Sequence, residues 1–197
     1  MRSSFDKLIS WTGLLLAVML LIAGALLTWA HVFIGNEVEK QFAIQDITMP
    51  EGDALTSLPK ADQDVLKPYA GSKMDSGPEA NAYADHYILV HLNEASGGKT
   101  HSEISGELLS MTPEQQASPE GQQLAALKNT LLQGNTLRGL LLYGYAFATM
   151  GTIAGIAAIS AFVAAGLMLL LVGIGFWHAR RARNDVATGT QPVGAQV

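Results

Sequence analysis

The chain has no cysteine. Neither a disulfide framework nor a thiolate metal site is therefore available to it. Acidic and basic side chains are missing from two long stretches. The first, Trp11–Ile34, is 24 residues without Asp, Glu, Lys or Arg. The second, Gly139–Trp177, is 39 residues without any of the four. Between them no segment shows the alternating pattern of a strand, and no internal repeat is present. Also missing are a Ser-His-Asp ordering, an acid dyad and a dinucleotide fingerprint, so the sequence offers no catalytic set.

What is present determines a topology. A bilayer core needs roughly 20 apolar residues in a helix, and both stretches exceed that. A signal-peptide core is shorter, about 7–15 residues, and ends at small residues. Thr28-Trp29-Ala30 is a poor cleavage site because of the bulky Trp29, so the first stretch reads as an uncleaved anchor. Arg2 and Lys7 precede it, and Arg180, Arg181 and Arg183 follow the second. Residues 35–138 hold 15 acidic against 7 basic residues, a net of −8 within a chain of net charge −5. By the positive-inside rule both termini are cytoplasmic and the acidic middle lies outside. That acidity speaks against a nucleic-acid surface.

The expected fold class is an all-α membrane protein, with two transmembrane helices flanking a small, mainly helical extracytoplasmic domain. Residues 1–10 form a cytoplasmic N-terminus, 11–34 the first span and 35–138 the outer domain. Residues 139–155 are an apolar outer extension of the second helix, 156–177 its span, and 178–197 a basic, disordered cytoplasmic tail. A single long helix suits the second stretch better than a hairpin, because a hairpin would deliver the arginines to the outside. The extension is apolar yet outside lipid, so it must pack on the outer domain, on the first helix or on another protein.

In the outer domain, "GNEVEKQFAI" extends the first helix, and Pro50 and Gly52 break it. From Pro78 the residues Ala80, Tyr83, Ala84, Tyr87, Ile88, His91 and Leu92 follow an amphipathic helical spacing, with Glu79 in the first turn. "NEASGGKT", residues 93–100, invites comparison with a phosphate-binding loop. The first glycine of that motif would fall at Asn93, and the segment follows a helix rather than a strand. The better reading is a hinge: Gly97 and Gly98 close one helix, and Thr100 with Glu103 forms a capping box that opens the next. Thr112 with Gln115 repeats the device, as does Ser118-Pro119. No nucleotide is expected to bind.

The metal-ligand candidates are His86, His91, His101 and Glu103. A two-histidine site on one helix prefers i, i+4 spacing. His86 and His91 are five apart, about 140° round a helix, which separates them. His91 lies on the apolar stripe as a core histidine. No cofactor is expected. Small residues Gly13, Ala17 and Gly24 on the first helix, and Gly144, Gly151 and Gly155 on the second, mark faces for close helix packing. Arg138, the last charge before the second apolar stretch, reads as an interfacial anchor.

"ANAYADHYILVHLNEASGGKTHSE", followed by "LRGLLLYGYAF", resembles a family of small actinobacterial membrane proteins with two hydrophobic segments around a short outer domain containing GGKT. The resemblance runs from about Gly71 to Trp177. Members tend to carry an aromatic residue after the Thr, where this chain has His101. The resemblance implies a bacterial source and a two-span architecture. Members are often labelled aromatic ring-opening dioxygenases, an activity that requires an iron site of two His and a carboxylate beside a substrate-sized pocket. The residues here do not supply that spacing. The leading expectation is a non-enzymatic accessory or scaffolding subunit of the plasma membrane. Its partners would be the lipid bilayer and either another membrane protein or further copies of itself. The alternatives are an extracytoplasmic ligand- or metal-sensing module and an oxygenase.

Overall fold

The computed structural model describes residues 2–188, with side chains from 8 to 181. Every element named among the described residues is helical, and extended pairing is limited to one bridge between Thr48 and Lys73. Helix α1 runs Arg2–Gln45. It continues through "GNEVEKQFAI" and stops where Asp46 takes a left-handed conformation, φ 50°. Short helices α2 (Asp53–Thr56) and α3 (Lys60–Leu66) come next, and a 3-10 turn at Lys67–Tyr69 completes α3. The helical segment from 77 to 96 has three parts: α4 (Gly77–Tyr83), a π turn (Ala84–Ile88) and α5 (Leu89–Ser96). Then come α6 (His101–Ser110), α7 (Pro113–Gln116) and α8 (Pro119–Thr188).

Helix α8 is unbroken over 70 residues, about 105 Å at roughly 1.5 Å per residue. The second apolar stretch is therefore one helix and not a hairpin. The helix carries on through residues 178–188, and the remainder of the basic tail, 189–197, lies outside the described residues. Both α1 and α8 are long and apolar enough to cross a membrane.

The chain divides into two compact units. One comprises the described residues up to Val32 and from Thr152 onward. In it α1 and α8 run antiparallel. Partner numbers fall as α1 advances: a Cβ on Gly13 would lie 2.8 Å from Val172 and one on Gly24 would lie 2.9 Å from Phe162, while Gly155 meets His31. The buried positions recur every seven residues, at Ser10, Ala17 and Gly24 on α1 and at Ala158, Ala165, Val172 and Ala179 on α8. A seven-residue seam is the signature of left-handed supercoiled packing, and small side chains in it let the backbones approach closely. Away from the seam the apolar side chains are exposed: Leu15, Ile22, Leu26, Ile159, Val163 and Leu170 among them.

The other unit spans Phe33–Gly151. Its core gathers Val38 and Phe42 of α1, Met49, Leu58, Leu66, Met74, Ala80 and Ala84, and Leu141 of α8. A second cluster joins Leu92, Ile104 and Leu131. Two chain segments close against each other here. The Met49 amide donates to the Ser72 carbonyl at 2.9 Å, and the Met74 amide donates to the Ile47 carbonyl at 2.9 Å. Gly144 lies directly against the Phe42 ring, which any Cβ at that position would strike, so glycine permits α8 to seat the ring. Within this unit the apolar part of α8 up to Gly151 thus packs on both α1 and α4, since Gly77 lies against Ala148.

Candidate functional site

The polar side chains that converge in the Phe33–Gly151 unit do so around the π turn. A π turn inserts one residue into the helical register and often marks a functional position. Here it presents Asp85 and His86 to two different partners. Arg138 of α8 donates from Nε and Nη2 to Asp85 Oδ1, at 3.0 and 2.7 Å. Asn81 donates to the other carboxylate oxygen at 3.3 Å. His86 Nδ1 lies 2.8 Å from Asp62 Oδ1 of α3. All four side chains of these two pairs are about a fifth to a third exposed. Charged hydrogen bonds at such depth contribute more than surface pairs do. The two pairs tie α3, the π turn and α8 together. With Nδ1 engaged on Asp62, Nε2 is the ring atom of His86 left for a further partner.

Along the same helix Tyr83 stacks on Tyr87 at 4.9 Å between centroids, and Tyr87 packs against the His91 ring at 4.4 Å. Burial, with the neighbouring Tyr87, pushes the Tyr83 phenol above its ordinary value.

A carboxylate cage stands just upstream. Glu79, 7% exposed, accepts hydrogen bonds from Ser72 Oγ, the Asp75 and Ser76 amides and Ser76 Oγ, at 2.8, 3.0, 3.1 and 2.8 Å. Burial alone would raise the pKa of this acid. The hydrogen bonds from Asp75, Ser76 and Ser72 outweigh that and hold it below the usual carboxylate value. Asp75 moves the other way: desolvation first, then the charge and hydrogen bond of Glu79 and the charge of Glu39, raise it. Ser76-Gly77-Pro78-Glu79 has the form S-x-x-E, so this clasp carried a readable signal that first-turn acidity alone understates.

The metal-ligand candidates are dispersed. His86 is committed to Asp62, and His91 Nδ1 lies 2.8 Å from the Tyr87 carbonyl. Glu103 accepts from the Thr100 amide and hydroxyl at 2.7 and 2.8 Å, and it engages neither His101 nor His91 there. Among the described residues no group of three or more His, Asp or Glu is arranged to hold a metal ion. The placement of His91 on the apolar stripe needs correction, because its side chain is exposed. The inserted residue of the π turn rotates the downstream helix by about 100°, which carries position 91 off the core face. Arg138, read as an interfacial anchor, also supplies the cation of a partly exposed pair with Asp85.

At the hinge, Gly97 is left-handed at φ 62°, ψ 30°, and Gly98 has φ 81°. The Glu103 amide donates to Thr100 Oγ1 at 3.2 Å, closing a reciprocal capping box. Gly98, Lys99 and Thr100 rim a groove of about 570 Å³ with Asn93, His101 and Asn135. Lys99 Nζ donates to Glu107 at 2.6 Å and Thr100 is turned into its cap, so neither is positioned as a phosphate cradle. Of the packing glycines, Gly13, Gly24 and Gly155 sit in the Val32-side unit against Val172, Phe162 and His31, with Ala17 fully buried beside them. Gly144 and Gly151 belong to the other unit, Gly144 against Phe42 and Gly151 buried.

Asp62, Asn81, Asp85 and Arg138 escaped sequence reasoning as a set, because 24 residues separate His86 from Asp62 and 53 separate Arg138 from Asp85. Compared with protein-family models, curated proteins and solved structures, the chain matches none.

Proposed function

We propose that this protein is a two-span component of a bacterial plasma membrane, with both termini cytoplasmic and residues 35–138 outside. Its role in this reading is that of a non-catalytic accessory or scaffolding subunit. The observation that carries the membrane part is the exposure of the two long helices. Trp11, Leu15, Ile22, Trp29, Ile159 and Leu170 each expose more than half of their surface. In water so continuous an apolar surface would aggregate, whereas in lipid it is the solvated face. The scaffolding part rests on a second exposed stripe of α8, in the Phe33–Gly151 unit. Leu140, Tyr143, Phe147 and Met150 recur there at helical spacing and are all at least half exposed. They belong to the apolar extension assigned above the span, where lipid does not cover them.

The cysteine-free chain gives a direct topology test. A single cysteine at Ser102 is labelled in intact cells by an impermeant maleimide, while one at Thr188 is labelled only after permeabilisation. Labelling in the opposite sense sinks the orientation. Extraction in mild detergent followed by native mass spectrometry tests the scaffold role, which requires a complex. A lone monomer under those conditions refutes it. The π-turn cluster leaves a sensing role as the second reading, supported by the His86 Nε2 left over once Nδ1 is engaged on Asp62.

A further inference from the structure

Helices α5, α6 and α8 enclose the groove of about 570 Å³ at the hinge. Its volume lies within the range of small-ligand sites, roughly 300–1,000 Å³. The base is aliphatic: Leu92 and Leu131 are buried there, with Leu89 and Leu132 beside them. Gly134 lets α8 come up to α5, since a Cβ at that position would lie 2.5 Å from Leu92 Cδ2. The walls carry one fixed charge, Lys99, and its Nζ is spent on Glu107. No Asp or Glu lines the groove. Glu94, Glu103 and Glu107 stand nearby on α5 and α6, so the surroundings do not attract an anion.

The walls have hydrogen-bonding capacity to spare. Among the described residues, the lining side chains of Asn93, His101 and Ser102 make no hydrogen bond. Asn135 donates from Nδ2 to the Leu131 carbonyl at 2.9 Å, which leaves its Oδ1 to accept. These groups both donate and accept, which suits a neutral ligand with several polar groups. The backbone of the hinge is already committed. The Gly98 and Lys99 amides donate to the Asn93 and Ser96 carbonyls, and the Thr100 amide donates to Glu103. An extended peptide pairs with an open backbone edge, and the groove offers none. No aromatic side chain lines it either, so a plain sugar ring has no stacking platform. Leucines instead suit a methyl group, and the carboxamides of Asn93 and Asn135 suit an amide that carries one.

We propose that this groove binds a neutral N-acetylated amino sugar, with an acetamido methyl against the leucine base and the amide and ring hydroxyls met by Asn93, Asn135 and Ser102. Such binding goes beyond the accessory role given above. Only the access of the groove to saccharides outside the cell rests on the orientation proposed there.

The test uses the full chain, purified and reconstituted in lipid nanodiscs, with N,N′-diacetylchitobiose as the probe. Saturation-transfer NMR should show the strongest transfer on the acetamido methyls, with a Kd on the order of 1 mM, as an open groove with few polar anchors supports. Asn93→Ala with Ser102→Ala should weaken binding about tenfold, with helical circular dichroism unchanged. As a comparison free of variants, cellobiose, which has hydroxyls in place of the acetamides, should bind about tenfold more weakly. Absence of transfer to the acetylated disaccharide overturns the site. So does equal binding of the two disaccharides, or binding that survives both substitutions. Acetyl-trialanine amide presents the same acetamide on a peptide. If it binds as tightly as the disaccharide, the groove takes peptides and the proposal is wrong. A cysteine at Ser102 that is labelled only after permeabilisation refutes the orientation, while the purified chain still decides the groove.

Discussion

Replacing Glu79 with Ala removes the acceptor of four hydrogen bonds and should unfasten the 72–76 loop from the start of α4. Charged hydrogen bonds contribute about 1.5–3 kcal/mol each, and a buried donor left unmatched costs about 1–3 kcal/mol. Water reaches part of the cage, because Asp75 is exposed, so the four do not add in full. The expected loss is about 2–4 kcal/mol of local stability. At about 1.4 kcal/mol per factor of ten, amide exchange at Asp75, Ser76 and Ala80 should accelerate by roughly 30- to 1,000-fold. Exchange measured in detergent at neutral pH, with the Ile104 amide as internal reference, checks this. The direction of the shift sets the pH dependence. Glu79 is held below its unfolded value, so its contribution is complete above that value and disappears as pH falls through the lower, folded one. The wild-type advantage over Glu79→Ala should therefore shrink on acidification, while Glu79→Gln, which keeps one acceptor, should lie between the two. A change below threefold at Asp75 and Ser76, or an advantage that grows as pH falls, refutes the reasoning.

Two glycines of α8 should behave in opposite ways. Gly144→Ala drives a methyl into the buried Phe42 ring and should cost about 1–3 kcal/mol of thermal stability. Gly139→Ala meets nothing within 4 Å and should gain up to about 1 kcal/mol from helix propensity. Arg138→Gln leaves Asp85 with only Asn81 and should cost about 1–2 kcal/mol in denaturant titration, with Asp85→Asn in the same background restoring part of it. Asp75→Asn removes a carboxylate whose ionised form burial and Glu79 disfavour. It should stabilise the fold at neutral pH, and the gain should shrink as pH falls through the raised value and be gone below the ordinary carboxylate value. Thr100→Ala should cost about 1 kcal/mol at the start of α6, seen as faster exchange of the Glu103 amide.

Residue order by itself is enough for the features whose causes lie within one helical turn. The boxes at Thr100–Glu103 and Thr112–Gln115 join atoms three residues apart, and the left-handed Gly97 and Gly98 need no partner elsewhere. The two long apolar helices belong to the same class, because hydropathy and length are properties of a stretch. Tertiary structure decides where distant segments meet. Nothing near Asp85 in sequence points to Arg138, and nothing near His86 points to Asp62; those pairs exist because α3, the π turn and α8 are brought together by the Leu66, Ala84 and Leu141 core. The π turn itself shifts the helical register in mid-segment, so the period that predicts one continuous face places His91 on the wrong side of it. Glycine at 144 illustrates the same division. Its presence in a small-residue pattern is sequence; that it seats Phe42 is geometry, set by the register in which α8 meets α1.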